Sequence, residues 1–458
     1  MLNIFNKVKF LKKIEKTYRI SLFLPSTVSF AMNNRNHEGQ VANGNININN
    51  AANNSHENEK YSNIVDRVNI EFFGSCNSKF TFKEFLGKGS FGEVILVERE
   101  IIEKGKRISK QFALKVTKNT DRDYCELNVL DKIKKYIVCS YGVVGLRGNN
   151  NPEENRLIFI LEYCKYGNIN NFMKNILKRY TMSETLICYM AGQIVNALKF
   201  MHSCKFAHLD VKPQNILVDE CLNFKLSDFS TSYKCDEDLE KYDQNLMKYK
   251  YLGTSPYMAP EVLKRSLIKN PKNFFKPDVF SFGVMCYKLF TMDYPYFKVG
   301  NTYVDRNVEI DYLTSIERNN INLQNLVYFE ASDVFKDFLL KCLEKDVDKR
   351  PDILQLEKHP FISILYKIIL NEKEKLYNGN HFLTDIMTDH SKVYNDECEK
   401  YELKDGILTL KNNNVELENK DLGQIIDNNF APKKDKIKDA FKKNFKEKRS
   451  KKMKIGKN

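Results

Sequence analysis

The pattern of hydrophobic and polar positions divides the chain into a strand-rich region followed by a helix-rich region. Short β-like stretches begin near Phe80 around a glycine cluster, and Gln111–Thr117 reads as a second strand. A short helix is predicted over Asp121–Lys134, and further strands over Val143–Leu146 and Leu157–Tyr163. This order predicts a small lobe built mostly of β-strands.

Farther along, the spacing of apolar residues changes to the period of an α-helix. Ser183–His202 repeats apolar residues at helical spacing, and its first residue is a candidate N-cap. Asp278–Phe290 and Ser332–Leu343 also predict helices that are largely buried. The polar stretch Lys298–Leu326 is interpreted as an insertion. The second region is therefore predicted to be a larger, helical lobe.

The two ends of the chain differ in composition from the middle. Asn33–Asn58 contains eleven asparagines and too little apolar sequence to form a core. Residues 1–79 are therefore predicted to be a basic, Asn-rich extension that is mostly disordered. Residues 363–458 are Lys- and Asn-rich with weak periodicity, and they end in a basic tail at 432–458.

The positive charge of the chain lies at its ends. The whole sequence carries 73 Lys and Arg against 59 Asp and Glu, a net charge of +14. Residues 432–458 hold thirteen basic residues against three acidic ones, and residues 1–36 hold seven against one, so the remainder is about −2. A nucleic-acid-binding enzyme more often carries positive charge on its folded domain. No specific nucleic acid is therefore expected as a partner.

Cysteines and hydropathy bear on location. The eleven cysteines include no CxxC pair, which fits a reducing compartment, and no run of eighteen apolar residues predicts a transmembrane helix. Ile20–Ala31 follows several lysines and resembles a poor signal or transit sequence, although a variable basic extension is the favoured interpretation. A cytoplasmic location is expected, with nuclear or membrane-peripheral locations as alternatives.

Two motifs in the first lobe suggest phosphate binding. Gly87–Val94 has the pattern GxGxxGxV, whose glycines let a hairpin close over phosphates. The same pattern in a Rossmann fold opens a helix, whereas here an apolar strand follows. Lys115 ends the next strand and can pair with phosphates if a carboxylate holds it. Glu126 is the candidate carboxylate and Asp123 the alternative, and an ordinary surface ion pair is the competing explanation.

The third motif is His208-Leu-Asp-Val-Lys-Pro-Gln-Asn215, followed by Asp228-Phe-Ser230. Here the sequence resembles the eukaryotic protein kinase family, with its H-R-D-x-K-P-x-N catalytic loop and D-F-G turn. The resemblance continues in order through Gly253–Glu261, Asp278–Gly283 and Lys349-Arg350-Pro351. It covers roughly residues 80–362.

The resemblance implies an α+β, two-lobed protein kinase fold with disordered extensions. The β-rich N-lobe would span about 80–163 and the helical C-lobe about 164–362. Asp210 would accept the proton of the incoming hydroxyl, and Lys212 would shield the γ-phosphate. Asn215 and Asp228 would hold two magnesium ions. The resemblance implies that His208 packs beneath Phe229. It also implies that Gly253–Glu261 is the substrate-docking segment and that Glu261 pairs with Arg350 under it.

The family also implies where ATP binds, with the hinge at residues 161–164. Glu162 and Cys164 would bind adenine through their backbone groups. The residues expected at the ATP site are Leu86, Gly87, Gly89, Gly92, Val94, Ala113, Lys115, Glu126, Leu161, Glu162, Cys164 and Leu217.

Lys212 and Thr254 are the residue types that serine/threonine kinases carry. The expected function is therefore serine/threonine protein kinase activity with ATP and Mg²⁺ on protein substrates, with dual specificity as a minor alternative. A nucleotide-binding pseudokinase or scaffold is the alternative of another class.

Three positions depart from the family pattern. Leu209 replaces the Arg that receives an activation-loop phosphate, a form that resembles Mos-like kinases. Ser230 replaces Gly and adopts φ > 0 less easily, and Phe280 stands in place of Trp. None of these changes removes a metal ligand, the base or the phosphate-binding lysine.

The basic tail suggests a partner of its own. Ile437, Phe441 and Phe445 would share one face of a helix, which suits an anionic membrane surface or a calmodulin-like groove. A nuclear import signal, an RNA-binding patch and a solvated tail remain as alternatives.

Overall fold

The computed structural model describes residues 49–74, 79–89, 92–103, 105–117, 121–132, 136–147, 155–235, 253–264, 271–296, 308–376, 392–404 and 407–411. The first lobe contains a five-stranded antiparallel sheet with the order β1-β2-β3-β5-β4. Its strands are β1 Thr81–Gly89, β2 Gly92–Glu103, β3 Lys106–Thr117, β4 Ser140–Leu146 and β5 Arg156–Glu162. The strands predicted from the apolar pattern are confirmed.

Strands β2 and β3 are longer than the pattern predicts. Their inner halves are buried, whereas the pairs from Glu98↔Gln111 to Glu103↔Lys106 form a mostly exposed ribbon. Because backbone hydrogen bonds hold this ribbon, its side chains need no apolar alternation. The predicted helix is present as α2, Asp121–Lys132, with Leu127 and Leu130 buried.

A helix precedes the sheet where no structure was expected. Helix α1, Asn49–Phe73, buries Tyr61, Val65 and Val68 against the outer face of the sheet. The expectation that structure begins near Phe80 is therefore wrong. These three residues lie at i, i+4 and i+7, on one face of the helix. So short an apolar pattern, directly after an Asn-rich tract, is too weak to predict a helix from the sequence.

The second lobe is mostly helical and surrounds α4, Glu184–Ser203. Ser183 caps this helix as predicted, since its side chain accepts a hydrogen bond from the Leu186 N–H. Gly192 lies directly under Tyr366, and a Cβ there would come within 2.1 Å of the ring.

The other helices of this lobe are α3 Ile169–Phe172, which continues as a π-helical turn, α5 Pro260–Leu263, α6 Lys276–Thr291, α7 Val308–Arg318, α8 Leu323–Tyr328, α9 Asp333–Cys342 and α10 Ile353–Glu357. Short strands β6 Phe206–Ala207 and β9 Tyr233–Lys234 pair with each other, as do β7 Ile216–Val218 and β8 Phe224–Leu226.

The stretch interpreted as an insertion contributes to the core. Its described part contains α7 and most of α8, and Tyr312, Ile316 and Leu326 are buried. So few apolar residues in a polar sequence give only a weak indication of an amphipathic helix. These residues are buried because other elements of the fold cover them.

Folded structure also continues beyond the predicted end of the catalytic domain. Helices α11 Tyr366–Leu376 and α12 Lys392–Cys398 are followed by a hairpin of β10 Tyr401–Lys404 and β11 Ile407–Leu410. Tyr401 is buried, and the Leu403 N–H donates to Asp333 Oδ2 at 3.1 Å. The basic tail at 432–458 lies outside the described residues. None of the helices in the described part of the chain has both the length and the apolar character needed to cross a membrane.

Candidate active site

The glycine hairpin joins β1 to β2 at the edge of the sheet. Gly89 pairs with Gly92, and Gly87 has φ 143°, a conformation that favours glycine. A Cβ on Gly92 would lie 2.3 Å from the Val116 carbonyl oxygen, so no side chain fits there. Ser90 and Phe91 lie outside the described residues.

Lys115 links the sheet, α2 and the Asp228 turn. Its Nζ lies 2.7 Å from Glu126 Oε2 and 3.0 Å from Asp228 Oδ1. Burial alone would lower the pKa of Lys115, but the carboxylates of Asp228 and Glu126 outweigh it and hold the pKa above its ordinary value. The ammonium group is therefore charged and fixed between two acidic side chains.

Asp210 is held by three neighbours. Lys212 Nζ lies 2.6 Å from Asp210 Oδ2 and donates to Thr254 Oγ1 at 2.7 Å. The Thr254 hydroxyl donates to Asp210 Oδ1 at 2.8 Å, and Asn215 Nδ2 donates to Asp210 Oδ2 at 3.0 Å. The expected positions 210, 212, 215 and 254 thus form one hydrogen-bonded group.

Asp278, at the start of α6, fixes the backbone of the catalytic loop. It accepts hydrogen bonds from the His208 N–H at 2.8 Å and the Leu209 N–H at 2.7 Å, and its Oδ2 lies 2.9 Å from His202 Nε2. Burial would raise the pKa of Asp278, but the hydrogen bond from His202 helps to keep it below its ordinary value. Sequence reasoning quoted this residue in a motif without giving it a role, since its partners are about 70 positions away.

Asp228 is held in a left-handed backbone conformation with φ 58°. Its Oδ1 accepts a hydrogen bond from the Ser230 hydroxyl at 2.8 Å as well as from Lys115. Burial would raise the pKa of Asp228, but Lys115 and Ser230 lower it to about 2. The side chain is 31% exposed, so part of this charged carboxylate is accessible from outside the protein.

The apolar residues expected around adenine lie in one cluster. Ala113 and Leu161 are partners on neighbouring strands, and Val94 pairs across from Lys115. The members of this cluster from the expected set are Val94, Ala113, Leu161, Cys164 and Leu217, with Leu86 packed against them.

The side chain of Glu162 has a role that sequence reasoning missed. Lys225 Nζ lies 2.7 Å from Glu162 Oε1 and 3.2 Å from Asp219 Oδ2. The pair ties the end of β5 to the β7–β8 hairpin. No local pattern signals this contact, because Lys225 is one lysine among many in a Lys-rich chain.

These motifs can be compared with known proteins. A profile described as the protein kinase domain matches residues 80–362. The chain belongs to the protein kinase family. The β-rich lobe is the kinase N-lobe and the helical lobe is the C-lobe.

Similar kinases come from several organisms. Serine/threonine-protein kinase pakE of Dictyostelium discoideum is 30% identical over 66% of this chain and 30% of its own length. Serine/threonine-protein kinase PKH2 of Candida albicans is 27% identical over 62% of this chain and 28% of its own length. Calcium-dependent protein kinase 6 of Plasmodium berghei is 30% identical over 80% of this chain and 23% of its own length. The chain thus spans less than a third of the length of these curated relatives.

The segment Gly253–Glu261 is held in place through its last residue by Arg350. Arg350 is fully buried and makes two hydrogen bonds to Glu261, at 2.6 and 3.1 Å. Its guanidinium carbon lies 4.8 Å from the centre of the Phe280 ring, which stacks on Tyr296. Phe280 therefore provides an aromatic surface at the position where the family usually has Trp.

His208 contributes by packing. Its ring lies edge-on to Phe229 with centroids 5.5 Å apart, and its Nε2 lies 3.0 Å from the Ser227 carbonyl oxygen. Both contacts hold the catalytic loop against the turn that carries Asp228.

Proposed function

We propose that this chain transfers the γ-phosphate of ATP to serine and threonine hydroxyls of proteins. The observation that carries the proposal is the position of Lys115, which contacts Glu126 of the N-lobe and Asp228 of the C-lobe at the same time. Protein kinases in general use ATP and Mg²⁺ and act on proteins. Phosphoryl transfer depends mainly on positioned charges, and this contact assembles them.

Asp210 is the proposed base, and its neighbours orient it. Thr254 donates to one carboxylate oxygen, while Lys212 and Asn215 hold the other. A substrate hydroxyl would give its proton to Asp210, and Lys212 would offset the negative charge of the γ-phosphate. Because Thr254 links Asp210 to Lys212, its presence favours serine and threonine as acceptors.

Asn215 and Asp228 fit a magnesium site. Asn215 uses its amide nitrogen for Asp210, which makes its amide oxygen the atom that can serve as a ligand. The lowered pKa of Asp228 keeps its carboxylate charged. Oxygen ligands of these two kinds suit Mg²⁺, which shares its remaining positions with phosphates and water. Bound there, Mg²⁺ would neutralise charge on the phosphate oxygens.

The nucleotide site is proposed to lie beneath the glycine hairpin. Leu86, Val94, Ala113 and Leu217 would contact adenine, with Leu161 and the backbone of Glu162 and Cys164 at the hinge. Gly87, Gly89 and Gly92 would let the hairpin approach the phosphates, and Lys115, held by Glu126, would bind the α- and β-phosphates. The pseudokinase alternative is disfavoured, since Lys115, Asp210, Asn215 and Asp228 are all present.

Transfer of labelled phosphate from ATP to a generic basic protein tests the proposal. Asp210→Asn and Asp228→Asn should each lower the rate at least about 100-fold, because hydroxyl orientation or metal placement fails. Asp396→Asn, an exposed change on α12, is the matched control and should keep the wild-type rate. A wild-type rate equal to that of Asp228→Asn would refute the kinase proposal.

We also propose that the basic tail directs the kinase to an anionic membrane surface or a calmodulin-like partner. The proposal rests on the charge of residues 432–458 and on the spacing of Ile437, Phe441 and Phe445. Deleting 432–458 should leave ATP turnover intact and weaken sedimentation with anionic vesicles. If the deleted and full-length chains sediment equally with anionic vesicles and also distribute alike in cells, the tail is only a solvated end.

A further inference from the structure

Two adjacent residues of α1 contact both strands of the glycine hairpin. The Tyr61 ring stacks on Phe85 of β1, with centroids 5.3 Å apart and planes at 13°, and on Phe82 at 5.9 Å. Lys60 Nζ lies 2.7 Å from Glu93 Oε2 on β2. One turn of an N-terminal helix thus holds the strand that enters the hairpin and the strand that leaves it.

Glu93 is the point where these contacts meet. It stands between Gly92 and Val94, and its carboxylate also accepts a hydrogen bond from Lys88 at 2.9 Å. Burial, together with this same carboxylate, raises the pKa of the nearby Tyr61 hydroxyl. Burial would raise the pKa of Glu93, but Lys60 and Lys88 outweigh it and hold the pKa below its ordinary value. The carboxylate is therefore charged near neutral pH and attracts both lysines.

Helix α1 is itself fixed to the sheet, which makes it a firm support. Val65 and Val68 are buried in the outer core of the N-lobe. The buried side chain of Asn69 makes two hydrogen bonds to the Phe80 backbone, at 2.8 and 2.9 Å. Phe72 packs so closely on Gly142 that a Cβ there would lie 2.7 Å from its ring. Motion of Lys60 and Tyr61 relative to the sheet is thereby restricted.

We propose that Lys60 and Tyr61 are positioning residues that hold the glycine hairpin in its nucleotide-binding conformation. The inference rests on the proposed function of this site. A hairpin rich in glycine visits many conformations, and only the fraction that is competent binds ligand at full strength. Restraining the hairpin lowers the conformational entropy that is lost when the nucleotide binds. The contacts of Lys60 and Tyr61 should therefore increase the affinity for ATP without changing the rate of phosphate transfer.

The test compares full-length variants by nucleotide binding and by rate. Lys60→Met with Tyr61→Phe removes both contacts to Glu93 and keeps the ring stack on Phe85. The KM for ATP and the Kd for MgADP should each rise about three- to tenfold while kcat is unchanged. This pattern is expected when the lost contacts stabilise the bound ground state and the transition state equally. Lys60→Arg retains the charge and should restore most of the affinity.

Arg67→Met provides the matched control on the same helix. The Arg67 side chain donates a hydrogen bond to the Arg147 carbonyl oxygen. This bond does not involve β1 or β2, the strands of the glycine hairpin. Arg67→Met should leave KM and Kd unchanged. If the Lys60/Tyr61 variant binds MgADP as tightly as the wild type, or if Arg67→Met weakens binding equally, α1 is only a cover for the sheet and the inference fails.

A double-mutant cycle identifies the route of the effect. If Lys60 acts through Glu93, Lys60→Met should cause no further loss in a Glu93→Gln background, whereas independent actions would add. Additive losses would overturn the role assigned to Glu93. Because MgADP binding needs no phosphate transfer, this test stays informative even if the wild type shows no kinase activity, which would refute only the proposed function.

Discussion

Ser230 stands where the kinase family has the glycine of its D-F-G turn. A glycine at this position is free to adopt φ > 0, yet the left-handed residue of the turn is Asp228, at φ 58°. Ser230 lies in a 3₁₀ turn and is not among the described residues with positive φ. Its hydroxyl donates to Asp228 Oδ1. The side chain therefore adds a hydrogen bond to the proposed metal ligand without backbone strain at its own position.

We expect Ser230→Ala to weaken the use of magnesium. A hydrogen bond to a charged group is worth about 1.5 to 3 kcal/mol, so kcat at low Mg²⁺ should fall by about tenfold or more, and high Mg²⁺ should recover part of it. Mg²⁺ titrations of the rate would measure this. Ser230→Gly should behave like Ser230→Ala if the hydroxyl is responsible. Wild-type rates for Ser230→Ala at every Mg²⁺ concentration would contradict the role.

Because Leu209 replaces the Arg that receives an activation-loop phosphate, we expect the proposed kinase activity not to require phosphorylation of that loop. Leu209 packs against Ala207 and Phe274 together with Tyr233 and Phe275, an apolar cluster in place of a phosphate-binding cation. Phosphatase treatment should therefore leave turnover nearly unchanged. A loss of tenfold or more, about 1.4 kcal/mol in the barrier, would mean that another cation does the work of the missing Arg.

At the scale of elements, the sequence predicts those with long apolar repeats and misses those with short ones. Helix α4 is buried along most of its length, so its period is clear. Among the side chains that the structure describes, helices α1 and α7 each bury only a few apolar residues between polar ones, and the residues that cover them lie elsewhere in the chain. The ordered motifs predict which residues gather at the site. They do not predict contacts such as Lys225–Glu162, because those depend on the folded arrangement of distant elements.

The first turn of α6 offers a direct test of how an element supports the site. Asp278→Asn replaces an acceptor of three hydrogen bonds by an amide with one acceptor oxygen. We expect a loss of about 2 to 4 kcal/mol in the free energy of unfolding and a fall in kcat of about tenfold or more, since the catalytic loop loses its anchor. Thermal unfolding and rate measurements would detect both effects.

Asp337→Asn is the matched control for that variant. Asp337 is a buried carboxylate whose Oδ2 lies 2.8 Å from His359 Nε2, but it touches no residue of the catalytic loop in the described structure. Its replacement should destabilise the fold and leave kcat of the folded enzyme unchanged. If kcat falls equally in both variants, the effect of Asp278→Asn comes from a general loss of stability and not from the loss of its hydrogen bonds to the catalytic loop.

For the whole molecule, the folded unit is larger than the catalytic domain that the family defines. The matched region is 80–362, yet α1 covers the outer face of the N-lobe sheet before it. Helices α11 and α12 and the β10–β11 hairpin pack after it, with Cys398 and Tyr401 buried. Stability should therefore depend on residues outside the kinase motifs.

Two truncations locate the N-terminal limit of that unit. Removing residues 1–78 takes away the buried side chains of Tyr61, Val65 and Val68, each worth about 1.5 to 3 kcal/mol, so the free energy of unfolding should fall by at least about 4 kcal/mol. It also exposes Ile95 and Val97 on the sheet, which should promote aggregation. Removing residues 1–48 keeps every described contact and is the matched control. Thermal unfolding midpoints of the two chains would decide the matter, because equal midpoints would mean that α1 contributes nothing to the N-lobe and that the unit does begin near Phe80.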